Sequence, residues 1–148
     1  MGNRYVVQFS NFTPAALTTP TLISGTGRRI RVLEVVVGGG GTTSAAQALI
    51  MSRSATGVTP AGAIVPDKAE HAEQPAANMT TATTWATAPV GATNGIALPY
   101  NALGGGFRWT ATQKIPPLEA RNAEVIVFKA PAGVTPQATN LSILVEED

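Results

Sequence analysis

Apolar residues alternate with polar ones in several short runs of this chain, and a period of two residues is typical of β-strands. In the first run, Tyr5, Val7 and Phe9 share one face while Val6 and Gln8 share the other. The same pattern predicts strands at residues 4–9, 22–23, 28–37, 45–53, 63–65, 80–87, 96–100, 107–112, 123–130 and 141–145.

Four of these runs carry further information. Strict alternation in residues 28–37 would place Glu34 and Val36 on the face of Val32. Residues 123–130 are apolar on both faces, which predicts a central strand. Residues 45–53 also fit a helix by composition, but the absence of a helix cap favours a strand. The short run at residues 22–23 is interpreted as an edge strand.

Many short strands between Gly- and Pro-rich turns predict an all-β fold, a two-sheet antiparallel β-sandwich of jelly-roll type. An immunoglobulin-like sandwich is the alternative, although its Cys–Trp–Cys signature is absent. We expect residues 1–148 to form one domain. Within it, residues 1–20 are interpreted as an N-terminal strand or arm and residues 66–95 as a long functional loop. Residues 146–148 form an acidic tail.

The chain is weakly charged. Charged residues make up 13% of it and the net charge is +1, against roughly 25% charged residues in typical soluble domains. A surface of this kind suits a subunit that stays in contact with neighbouring proteins, and it equally suits an ordinary Thr/Ala-rich β protein. Such a small net charge gives no field that would attract nucleic acid or an acidic membrane.

Several functional classes are disfavoured by what the sequence lacks. The absence of cysteine excludes disulfides and thiolate sites and fits assembly in a reducing cytoplasm. The N-terminus has no signal-peptide pattern, and no apolar run approaches the roughly 20 residues that span a bilayer. We therefore expect a soluble protein.

The best local candidate for chemistry is the segment of residues 67–73, where three carboxylates flank His71, the one histidine of the chain. No second histidine stands at metal-binding spacing, so a solvated polar loop is the favoured interpretation. No serine lies in a Gly-x-Ser-x-Gly motif. The glycine runs at residues 38–41 and 104–106 lack the lysine and the helix of phosphate-binding loops. We predict no catalytic residue, no cofactor and no metal.

Two features are candidates for protein contact. Arg28, Arg29 and Arg31 form the one basic cluster of the sequence, which is too small for a surface that tracks phosphates. Trp109 alternates with Phe107 and is assigned to the core. Trp85 lies in the long Thr/Ala-rich segment and is the candidate contact residue, either for a protein or for a sugar.

From about residue 28 onward, several motifs follow one another in a recognisable order. They are RIRVLEV at residues 29–35, ALIMSR at 48–53, TTATTWATAP at 80–89, FRWT at 107–110, IPP at 115–117 and LVEE at 144–147. This order resembles that of small virion proteins of tailed bacteriophages, particularly the jelly-roll cement (decoration) proteins of the capsid exterior.

The resemblance implies a structural protein, made in the host cytoplasm, that binds the outside of the phage capsid. It would bridge neighbouring subunits of the major capsid protein, act as a dimer or trimer, and need no cofactor, nucleic acid or membrane. No catalytic residues carry over from it. One alternative is a jelly-roll carbohydrate- or receptor-binding module of a phage tail or fibre, which would use Trp85. Another is a hydrolase that depends on His71.

Overall fold

The computed structural model describes residues 2–54, 60–87 and 95–148, and these residues form two antiparallel β-sheets. The strands are β1 (Asn3–Phe12), β2 (Thr18–Ile23), β3 (Arg29–Gly39), β4 (Ala46–Ser54), β5 (Pro60–Ile64), β6 (Asp67–Lys68), β7 (Thr80–Trp85), β8 (Ile96–Asn101), β9 (Phe107–Thr110), β10 (Leu118–Arg121), β11 (Val125–Lys129) and β12 (Thr139–Glu147). The described residues contain no helix, so the predicted all-β, two-sheet antiparallel sandwich is confirmed.

The order of the strands is that of a jelly roll. Sheet A contains β1, β12, β3 and β10 in spatial order, with β9 also paired to β3, and sheet B contains β2, β11, β4 and β8. Consecutive strands such as β1 and β2, or β3 and β4, therefore lie in opposite sheets. In an immunoglobulin-like sandwich the first two strands share a sheet, so that alternative does not fit.

Three further strands extend the jelly roll between β4 and β8. β7 and β5 continue sheet B beside β2, and β6 continues sheet A beside β1. The segment predicted as a long loop at residues 66–95 is thus partly β structure where it is described. It is fixed to β1 because the Tyr5 hydroxyl donates to the Pro75 carbonyl at 2.9 Å and the Gln74 side-chain amide donates to the Arg4 carbonyl at 2.6 Å.

Of the two interpretations of residues 1–20, the structure supports the strand. β1 pairs with β12 from Asn3 opposite Glu147 to Phe9 opposite Leu141, so this part of the chain is an integral strand of sheet A. The prediction of an edge strand at residues 22–23 is wrong. β2 lies between β7 and β11, so it is not an edge strand. The prediction that β11 is central is confirmed, because it lies between β2 and β4 and both of its faces are buried.

β3 contains a bulge that changes which side chains face the core. The register between β3 and β12 shifts at Leu33, which has no paired residue. Val32 before the bulge and Val35 after it are both fully buried. Glu34 and Val36 therefore point outward, and the prediction that they share the face of Val32 is wrong.

Candidate protein-binding face

The outer face of sheet A carries a group of uncharged side chains, bordered by the Glu34–Arg108 ion pair and by Asp67, on strands whose other face forms the core. Residues directly opposite each other in paired strands lie on the same face. Val6 is paired with Leu144, and Gln8 is paired with Ser142, which in turn is paired with Val36. Val36 is 36% exposed, and the other four are exposed or half-buried. We call these five residues the neutral patch.

A shallow depression of about 340 Å³ adjoins the neutral patch, and Gln8, Ser142 and Val36 are among its lining residues. Gly38 also lines it, and a Cβ placed there would have no atom within 4 Å. The missing side chain of Gly38 therefore leaves open space at this point of the sheet. A small or apolar side chain of a partner protein is the kind of group that fits such a depression.

A row of alternating charges borders the neutral patch. Glu119 of β10, Arg31 of β3, Glu146 of β12 and Arg4 of β1 stand in register across four strands. Nη2 of Arg31 lies 2.6 Å from Oε1 of Glu146, and Nε of Arg4 lies 3.6 Å from Oε2 of the same carboxylate. We call these four residues the charged row. Because its charges alternate, it adds little net charge to the face.

Asp148 joins two of the predicted contact residues. Nη2 of Arg31 lies 2.8 Å from Oδ2 of Asp148, and the Arg29 guanidinium forms hydrogen bonds with the same oxygen. The hydrogen bond from Arg29 is the main cause that lowers the pKa of Asp148; desolvation opposes it and Arg31 adds to it. The same carboxylate raises the pKa of Arg29.

These contacts change the interpretation of the basic cluster and of the acidic end. Arg29 and Arg31 are partners of the chain's own acidic residues, whereas the exposed Arg28 forms no ion pair within the described part of the chain. The acidic tail is wrong as a description, because Glu146 and Glu147 belong to β12 and are 7% and 5% exposed. That the arginines contact a partner protein stays a prediction.

Trp85 is not available as a contact residue, so this prediction is wrong. Its side chain is 2% exposed, and its indole Nε1–H donates to the Thr19 carbonyl at 2.7 Å. Its backbone N–H donates to the Leu17 carbonyl at 3.0 Å. The pairing of β7 with β2 turns the ring toward the interior. Trp109 is 8% exposed and packs in the core, as predicted.

The other candidates for chemistry, His71 and the glycine run at residues 38–41, do not form a reactive site in the part of the chain that the structure describes. His71 is exposed, and its imidazole has no hydrogen-bond or ion-pair partner in residues 2–54, 60–87 and 95–148. Those same residues contain no group of three or more His, Cys, Asp or Glu side chains that could hold a metal ion. Gly38 and Gly39 continue β3 instead of forming a separate loop.

Sequence reasoning missed most of the neutral patch. The outward positions of β1, Val6 and Gln8, follow from the alternation around Tyr5, Val7 and Phe9, and this signal was sufficient to find them. Val36 could not be found in this way, because the bulge at Leu33 reverses the alternation of β3 without a signature in the sequence.

Comparison of the chain with models of protein families, with curated proteins and with solved structures gave no match. The described residues also contain no helix with the length and apolar character needed to cross a membrane. The surface described above and the order of sequence motifs are therefore the observations that bear on function.

Proposed function

We propose that this protein is a structural virion protein that binds the outside of a phage capsid lattice and bridges neighbouring capsid subunits. The observation that carries the proposal is the neutral patch, an uncharged surface on the outer face of sheet A. The resemblance of the motif order to capsid decoration proteins supports the choice of the partner. Binding, rather than chemistry, is the activity that such a surface supports.

The neutral patch is suited to binding because it can be dehydrated at low cost. Its five side chains carry no charge, and removing uncharged groups from water costs much less than removing ions. Its backbone belongs to three paired strands whose inner residues, such as Val7, Val35 and Ile143, are fully buried. The patch is therefore held in one shape before a partner arrives, which lowers the entropy lost on binding.

The charged row would form the polar rim of this interface. Arg31 and Glu146 are already paired, so the row does not need a charge from the partner. Exposed charges at a rim influence the rate and the specificity of association more than its strength. Arg4, whose side chain is 46% exposed, is the member of the row best placed to meet a partner's carboxylate.

Repetition over a shell would make a modest interface sufficient. Specific interfaces bury about 1,200–2,000 Å² in total, and a subunit that touches two neighbours gains from both contacts at once. A dimer or trimer on the capsid exterior would multiply this effect, and this oligomeric state is part of the proposal. The carbohydrate-binding alternative loses the residue on which it depended, because the Trp85 ring is buried.

The test is co-sedimentation with undecorated heads assembled from the major capsid protein of the same virus. The substitution Val36→Asp places a charge in the neutral patch, and we expect it to weaken binding at least tenfold. Ala97→Asp is the matched control, because Ala97 is an exposed strand residue of the other sheet. The proposal fails if the unaltered protein does not sediment with heads, or if the two variants bind equally well.

A further inference from the structure

β1 has one side that is only partly paired. β12 is paired with it along one side, whereas on the other side β6 is paired only with Tyr5 and Val6. Beyond Val6, no strand in the described part of the chain is paired with this edge. Gln8 and Ser10 lie along the unpaired stretch, and both are exposed. We call the stretch from Val7 to Ser10 the open edge.

The backbone of the open edge presents unused hydrogen-bonding groups. The Arg4 carbonyl accepts a hydrogen bond from the Ala69 N–H at 3.0 Å, so the even-numbered residues of β1 direct their backbone groups away from β12. This alternation continues to Gln8, whose N–H and carbonyl therefore point outward. It places the Ser10 N–H on the same side.

The other described edges of the two sheets carry the features that natural proteins use to prevent strand addition, namely proline, charge, irregularity or short length. These features are Pro99 in β8, the register shifts of β5, Arg108 in β9, Glu119 and Arg121 in β10, and the two-residue length of β6. The open edge is also short and ends at the register shift between Phe9 and Phe12, but it contains neither a charged residue nor a proline. Its backbone therefore stays open to a partner strand.

We infer that the open edge accepts an extended segment of the capsid partner as an additional strand of sheet A. This inference rests on the proposed function, because it takes the partner to be the capsid protein. The added strand would follow the line of β6 and end near Asn11, where the backbone has a φ of 50° and the regular pairing of β1 stops. Main-chain hydrogen bonds would supply the contact, as in other cases of β-strand addition.

The surroundings of the open edge define the chemistry of the segment. The Gln8 and Ser10 side chains line the depression over Gly38, so one partner can occupy the edge and the depression together. Val65 is 84% exposed and stands two residues before Asp67, which is paired with Val6. A short, extended, uncharged segment with an apolar residue next to Val65 fits this site.

The test compares variants of the open edge in binding to the same undecorated heads. Ser10→Pro removes an N–H that no strand pairs with in the free protein, and Ser10→Lys adds a charge to the open edge, outside the neutral patch, without changing the backbone. We expect each variant to bind at least tenfold more weakly, with thermal unfolding close to that of the unaltered protein. Ala97→Lys, on the proline-containing edge strand β8, is the control and should bind normally.

Hydrogen exchange gives a second readout. The Gln8 amide should exchange at least tenfold more slowly in the head-bound protein than in the free protein. If the unaltered protein binds and both edge variants bind equally well, with unchanged exchange at Gln8, the inference is overturned while the proposed function stands. If the unaltered protein does not bind heads at all, both are overturned.

Discussion

At the scale of single residues, the two tryptophans form a matched pair. Both are buried, but among the described residues only the indole of Trp85 has a hydrogen-bond partner, the Thr19 carbonyl, to which it donates. We expect Trp85→Phe to lower the free energy of unfolding by about 1 kcal/mol more than Trp109→Phe, because the buried Thr19 carbonyl would lose one of its two donors and keep only the Thr21 hydroxyl. Urea denaturation of the two variants measures the difference, and equal losses would contradict it.

The contacts of Asp148 with Arg29 and Arg31 predict that the stability of the protein depends on pH. Its pKa is lowered in the folded protein by the hydrogen bond from Arg29, so its contribution to stability is present above the ordinary value of 3.8. That contribution disappears as the pH falls through the lowered pKa. The stability advantage of the unaltered protein over Asp148→Asn should therefore be constant near neutral pH and shrink below about pH 4. An advantage that does not change between pH 7 and pH 2 would contradict the assignment.

The residues that the sequence misplaced share a physical cause. Trp85 stands in a Thr/Ala-rich segment with no apolar alternation, so nothing in the sequence indicates which face of β7 is covered. The burial of Glu146 and Glu147 is equally hidden, because their side chains meet partners far away in the chain, Arg31 for Glu146 and the Asn78 N–H for Glu147. Contacts between distant parts of the chain determine whether these residues are buried, whereas the alternation of apolar and polar residues indicates only local structure.

At the scale of elements, two adjacent glycines at the end of β3 have different surroundings. Gly39 lies in close contact with the other sheet, whereas Gly38 faces open space. A Cβ on Gly39 would lie 2.2 Å from the carbonyl oxygens of Asn101 and Ala102, so the two sheets meet closely here. We expect Gly39→Ala to cost roughly 2–3 kcal/mol of stability, or more if the backbone cannot shift.

Gly38→Ala is the control for this prediction. A Cβ on Gly38 would touch nothing within 4 Å, so its effect on stability should stay within about 0.5 kcal/mol. Thermal unfolding of the two variants distinguishes them. Similar melting temperatures would show that the close approach at Gly39 does not exist in solution.

The strands themselves were largely predictable and their irregularities were not. β1, β3, β4, β7, β8, β9, β11 and β12 were expected within a few residues of their observed bounds. β10 was missed because it follows Pro116 and Pro117 and has only four residues, although these alternate between apolar and polar. The bulge at Leu33 was missed because an extra residue in one strand is defined only by the partner strand.

At the scale of the whole molecule, the number and spacing of short strands predicted the sandwich and favoured the jelly roll. Strands at residues 63–65 and 80–87 were predicted within the insertion between β4 and β8. Its sequence gave no sign that the insertion extends both sheets on the side of β1 and β2. The fold therefore follows from the sequence, whereas the partner does not. A partner is recognised by a surface, and this surface brings together residues from β1, β3 and β12.

The central claim is that the outer face of sheet A is the surface that meets other protein. Electron cryomicroscopy of heads incubated with the purified protein tests it most directly. We predict density in which Val6, Val36 and Leu144 face the capsid lattice, with an added strand beside Gln8. A decorated particle in which this face points to solvent while sheet B contacts the lattice would contradict the account.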